Sequence, residues 1–144
     1  MSRILKTAVF MLLPLLLSTT CETNRGQLIP YVDVNINLSI YGDLANLGPE
    51  ETMLIEDVGA SGIILYRNSY DQYFAFDRTC TMWPDHTAAV EEDDTFDGVF
   101  VCPECGSKFL ITNDGGGMAI SGEAVYALVQ YNTYLDGNIL HIYN

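Results

Sequence analysis

The chain has 144 residues, 49% of them hydrophobic, with a formal charge of −13 and four cysteines, which excludes collagen-like, repetitive and wholly disordered organisation. Residues 1–20 inflate the apolar fraction, and the 124 residues that follow match the commonest size of a single domain with a real core. Arg3 and Lys6 are two of only six cations, and every carboxylate lies at or beyond Glu22, so the rest of the chain sets four cations against 19 acids. Such a surface repels phosphate backbones and argues against nucleic acid as a partner.

Residues 1–6 (MSRILK) form a short basic head, and residues 8–17 (AVFMLLPLLL) an apolar run about half as long as a membrane-spanning helix requires. This is the grammar of an export signal. The run ends in Leu17-Ser18-Thr19-Thr20-Cys21, which resembles the lipobox of bacterial lipoproteins, with Thr20 where a smaller residue is usual. The resemblance implies cleavage after residue 20, a diacylglycerol on Cys21, and a protein anchored by lipid in the bacterial cell envelope. Each buried methylene contributes about 0.8 kcal/mol, so acyl chains hold an acidic domain at a membrane where charge does not. An ordinary secreted protein with a free Cys21 thiol is the alternative.

A polar tether spans residues 21–27, and the domain is expected over residues 28–144. Val32, Val34, Ile36, Leu38 and Ile40 alternate with polar residues, the period of a half-buried strand. Residues 42–56 read as irregular connections. Residues 63–66 and 73–77 are β-rich runs joined by the turn-forming stretch 67–72 (RNSYDQ), which predicts a hairpin. Residues 99–102, 108–111, 126–134 and 139–143 complete the predicted strands, with turns at 113–117 (NDGGG) and at Asp136-Gly137. The acidic run 91–94 reads as a solvated insertion. No stretch after residue 28 has a helical period, so the expected class is all-β, a barrel or sandwich of short antiparallel strands.

Beyond Cys21 the cysteines are Cys80, Cys102 and Cys105, the last two within Cys102-Pro103-Glu104-Cys105-Gly106. A CPxCG turn suits a metal knuckle, because proline and glycine shape a tight turn whose amides point at both sulfurs and stabilise thiolates on iron or zinc. Cys80 offers a third ligand and His86 a fourth, an ordinary Cys3His zinc set. A disulfide with one thiol left over is the other reading for an exported protein. His141 alternates with apolar neighbours and reads as a strand histidine. No serine, histidine and carboxylate grouping marks a hydrolase, no glycine-rich loop precedes a helix as a nucleotide site requires, and no catalytic residue is assigned.

The order of residues 73–80 (YFAFDRTC), 101–109 (VCPECGSKF), 120–124 (ISGEA) and the final Asp136-Gly137 hairpin resembles a Rieske domain over about residues 28–143. The resemblance implies an antiparallel β sandwich or barrel with two ligand-bearing loops at one end. In that family a CxH loop and a CxxH loop hold a [2Fe–2S] cluster, the two cysteines on one iron and the two histidines on the other. Cys80 and Cys102 fall on the cysteine positions, with Met82 and Cys105 in place of the histidines. Glu123 stands where the third loop of the family usually carries a proline. Trp83 and Met82 are candidates for an apolar plug. Two readings follow: a lipid-anchored electron carrier, its [2Fe–2S] cluster held by Cys80, Cys102, Cys105 and His86 and its redox partner unnamed, or a structural or interaction module whose site holds zinc or is closed by a disulfide. Neither is an enzyme by itself.

Overall fold

The computed structural model describes residues 28–82 and 87–144; the export signal, Cys21, the tether, Trp83 and His86 lie outside them. Ten strands and no helix make up the described residues, in two antiparallel sheets. The strands are β1 (Asn35–Ser39), β2 (Glu51–Ile55), β3 (Ile63–Arg67), β4 (Tyr73–Asp77), β5 (Glu91–Glu92), β6 (Val99–Val101), β7 (Lys108–Ile111), β8 (Gly117–Ser121), β9 (Gln130–Asp136) and β10 (Ile139–Tyr143). The larger sheet has the order β1-β10-β9-β4-β3-β2 and the smaller one β5-β6-β7-β8.

Two central strands explain how one small domain supports two cores. Successive side chains of a strand point to opposite faces. On β3, Ile63 and Leu65 enter a core with Val34, Tyr131, Leu140 and Ile142, whereas Ile64 and Tyr66 enter a second core with Phe76, Phe100 and Phe109. On β4, Tyr73 and Ala75 face the first core and Phe74 and Phe76 the second. The β3–β4 hairpin is therefore a wall buried on both sides, which is why its sequence is a nearly continuous apolar run instead of an alternating one. The second core also contains Cys80 and Cys102, so the packing that joins the two sheets also surrounds the thiols.

A buried amide ties the sheets together at the far end of this hairpin. Asn68, fully buried in the β3–β4 turn, donates to the Gln72 side chain at 3.0 Å and to the Asn113 carbonyl in the β7–β8 turn at 2.9 Å, and accepts from the backbone N–H groups of Tyr70 and Gln72. Every hydrogen-bonding position of the side chain is thus filled, which removes the penalty that burying an amide would otherwise carry.

Three strands lie where the sequence predicts none, and β9 begins four residues after the start of the predicted strand 126–134 and runs two residues beyond its end. β2 lies in a stretch read as an irregular connection, β5 in the acidic run, and β8 begins at the end of a predicted turn. All three sit at sheet edges, where one neighbour strand and little burial are enough to define a strand and no apolar alternation need be written into the sequence. In the acidic run, Glu91 and Glu92 pair with Val101 and Phe100, and Asp93 forms a 2.7 Å ion pair with Lys108. The first strand is also shorter than its alternating pattern, which extends on both sides of β1.

Candidate metal centre

The chain that leaves β4 is clamped before it reaches Cys80. Buried Asp77 accepts hydrogen bonds from the Thr79 N–H at 2.8 Å, the Ala60 N–H at 2.7 Å and the Tyr131 hydroxyl at 2.6 Å. Burial and the adjacent carboxylate push the Tyr131 phenol well above its ordinary pKa. Arg78, also buried, extends its guanidinium to Glu56 at 2.7 Å and to the Val90 carbonyl at 3.3 Å. The Cys80 N–H donates to the Ala88 carbonyl at 3.0 Å, and the Thr81 hydroxyl donates to the Tyr126 carbonyl at 2.8 Å. These contacts fix the Cys80 loop against the segment that precedes β5 and the loop that follows β8.

Cys102 and Cys105 lie on the β6–β7 turn. The Cys102 N–H donates to the Ser107 carbonyl at 2.9 Å and the Gly106 N–H to the Cys102 carbonyl at 2.8 Å. Gly106 adopts φ +68°, a left-handed conformation that glycine takes without steric cost. The turn brings three sulfurs together: those of Cys80, Cys102 and Cys105 all lie within 4.8 Å of one another, with 3.7 Å between Cys80 and Cys105. Cys80 and Cys102 are buried and Cys105 is half-buried, so this centre meets solvent on the Cys105 side.

Ser107 organises the centre, and the sequence reading assigned it no role. Its oxygen accepts from the backbone N–H groups of both Glu123 and Ala124 at 3.0 Å and lies 3.1 Å from the Cys105 sulfur. The Cys105 thiol donates across this contact; once it ionises the direction reverses, because the two amides hold both lone pairs of the hydroxyl and leave its hydrogen for the thiolate. Glu123, at the place of the family's usual proline, contributes an N–H that proline lacks. A small hydroxyl residue directly after the knuckle glycine was the one local sign of this arrangement.

The thiols differ in acidity. Burial, with added contributions from the neighbouring thiols of Cys102 and Cys105, pushes Cys80 up to about 12. Burial also works against ionisation of Cys105, but the hydroxyl and backbone N–H of Ser107, helped by the other two thiols, outweigh it and hold Cys105 below its ordinary value. Of Cys80 and Cys105, the latter is therefore the one prepared as a thiolate, and a cation is what allows Cys80 to ionise beside it.

No family model and no curated protein matches the chain. Solved structures do. A chain of the complex of reduced oxygenase and oxidized ferredoxin in carbazole 1,9a-dioxygenase is similar with a TM-score of 0.51 and 20% identity, over 76% of this chain and 93% of that one. The cyanobacterial plasma membrane Rieske protein PetC3 from Synechocystis PCC 6803 gives the same score and identity, over 79% of this chain and 100% of that one. The fold is that of a Rieske domain. At this identity the likeness establishes the architecture, and the chemistry rests on the residues of this chain.

Those residues differ from a Rieske ligand set. The one described histidine, His141, stands in β10 between Leu140 and Ile142, with its ring stacked 5.9 Å from that of Tyr134, and is not a member of the cysteine group. Met82 packs against the core that holds the cysteines. The described donors in this Rieske fold are thus three sulfurs converging on one point. They do not make up the two-cysteine, two-histidine set that a Rieske [2Fe–2S] cluster uses, although thiolates as such suit both iron and zinc.

Proposed function

We propose that this protein is an exported, lipid-anchored Rieske-fold metalloprotein of the bacterial cell envelope that passes single electrons at the membrane. The observation that carries the proposal is the convergence of three thiols, two of them buried, in a Rieske fold. Cys80, Cys102 and Cys105 are the metal ligands, with His86 as the fourth, and iron bound there would supply a one-electron couple. The chain's own contribution is to exclude water with Phe76, Phe100 and Phe109, to direct two Ser107 donors at the Cys105 sulfur, and to leave that sulfur as the route outward. Such donors stabilise the reduced, more negative state and raise the potential. One similar structure is of a ferredoxin with its oxygenase and another of a plasma-membrane Rieske protein; a redox protein partner is proposed here by analogy with them. The lipid on Cys21 supplies the anchor.

The test is anaerobic purification of the full-length protein in detergent, followed by iron, zinc and sulfide analysis and redox titration. Reversible one-electron reduction of bound iron supports the carrier, and His86→Ala is expected to weaken metal binding at least tenfold. Zinc alone would support a second reading, a structural or interaction module. It is favoured by the place of the triad, with Cys80 and Cys102 buried, at the junction of the two sheets, where an ion would cross-link two loops without any exchange of electrons. Cys21→Ser is expected to move the protein from the membrane to the soluble fraction.

A further inference from the structure

The spacing of the three sulfurs carries information beyond their presence. In a Rieske ligand pattern, the residue at position 105 binds a different iron from the cysteines of the two loops. Here the Cys105 sulfur lies 3.7 Å from the Cys80 sulfur, and neither is more than 4.8 Å from that of Cys102. Two thiolates on one tetrahedral ion, with bonds of about 2.3 Å, stand about 3.8 Å apart. Thiolates on two different irons are separated in addition by the distance between the irons, which places them beyond roughly 5 Å.

We propose that Cys80, Cys102 and Cys105 are ligands of one and the same metal ion, so that this Rieske fold carries a mononuclear thiolate centre in place of a two-iron cluster. The inference rests on the reading of the triad as a metal site and deepens it by naming the nuclearity. A cysteine at residue 105 accounts for the change physically. Its sulfur lies closer to the backbone than either nitrogen of a histidine ring would, and its thiol is drawn toward Cys80 by the tight 102–106 turn, whose closing bond joins the Gly106 N–H to the Cys102 carbonyl. Both sides of the centre are held from outside it: the Cys80 loop by the bond from its own N–H to Ala88, and the 102–106 turn by the Ser107 links to Glu123 and Ala124.

The deciding experiment is metal and acid-labile sulfide analysis of the full-length protein purified anaerobically, together with titration of its metal-free form with cobalt(II). The expected result is one iron or zinc per chain without sulfide. Cobalt should bind one per chain, with the intense visible bands of a tetrahedral ion and a sulfur-to-cobalt charge-transfer band that falls by roughly a third in Cys102→Ser, as the loss of one of three thiolates requires. If that variant does not fold, the 1:1 endpoint and the charge-transfer intensity of the wild type still decide. Two irons with two sulfides per chain would overturn the single-ion proposal and leave the electron carrier standing. One zinc would support the single ion and overturn the electron carrier. Failure to take up any of these metals, with a disulfide among the three cysteines, would overturn both.

Discussion

The hydroxyl of Ser107 lies 3.1 Å from the sulfur of Cys105, and both of its lone pairs are already taken by the amides of Glu123 and Ala124. A single buried side chain thereby joins the cysteine turn to the loop after β8 and hydrogen-bonds the Cys105 sulfur at the same time. Removing it abolishes both effects, and two different readouts tell them apart.

Ser107→Ala strands two backbone N–H groups and deprives Cys105 of its side-chain donor. The expected loss of stability is about 1–3 kcal/mol, read by denaturant unfolding of the metal-free protein. Metal affinity, read by competition with a chelator, should fall about 10- to 100-fold. Unchanged affinity would show that the hydroxyl serves structure alone.

Gly122 packs its backbone against Ser107. It adopts φ +92°, and a Cβ there would overlap both the Cα and the side chain of Ser107. Gly122→Ala is expected to cost about 2–4 kcal/mol, combining a strained backbone with a clash that displaces the buried serine. Gly137 is the control: its φ is +56° with open space around it, so Gly137→Ala should cost only about 1 kcal/mol. Thermal unfolding of the two variants side by side checks the difference.

Glu123→Pro would restore the proline usual in the third loop of the Rieske family and delete the N–H that binds Ser107. The serine oxygen regains a free lone pair, and its hydrogen is no longer committed to Cys105. The loss should be smaller than for Ser107→Ala, about 1 kcal/mol, accompanied by a rise in the pH at which Cys105 reacts with a thiol reagent in the metal-free protein. An unaltered alkylation profile would show that the amide of residue 123 does not orient the hydroxyl.

Alkaline pH tests the Asp77–Tyr131 pair. Burial first, and the carboxylate second, raise the Tyr131 phenol above its ordinary value, so its folded pKa exceeds the unfolded one, about 10. The stabilisation by neutral Tyr131 is then fully present below pH ~10 and is lost as pH rises through the folded value. Tyr131→Phe should flatten this alkaline loss of stability, at a cost near neutrality of about 1–3 kcal/mol, because buried Asp77 keeps only its two amide donors. Unfolding free energies between pH 7 and 11 for both proteins check the sign.

The sequence by itself determined the class and most of the strands. Residues 63–67 and 73–77 are apolar enough to be recognised as strands and are separated by a turn, and both properties are local. The CPxCG knuckle was legible for the same reason: proline, glycine and two cysteines within five residues dictate a turn with two sulfurs on it. The Rieske architecture was visible in the order of its short motifs, and the structure has that architecture. Tertiary structure decided what depends on pairs of residues far apart in the chain. β2, β5 and β8 are strands because β3, β6 and β7 offer edges, and their own residues carry little pattern. The 3.7 Å between Cys80 and Cys105, which are 25 positions apart, and the capture of the Glu123 and Ala124 amides by Ser107 arise only when two sheets pack and bring three loops to one place. Spacing in a sequence says which side chains are able to ligate a metal. The distances that decide how many ions they share are set by the packing of the loops that carry them.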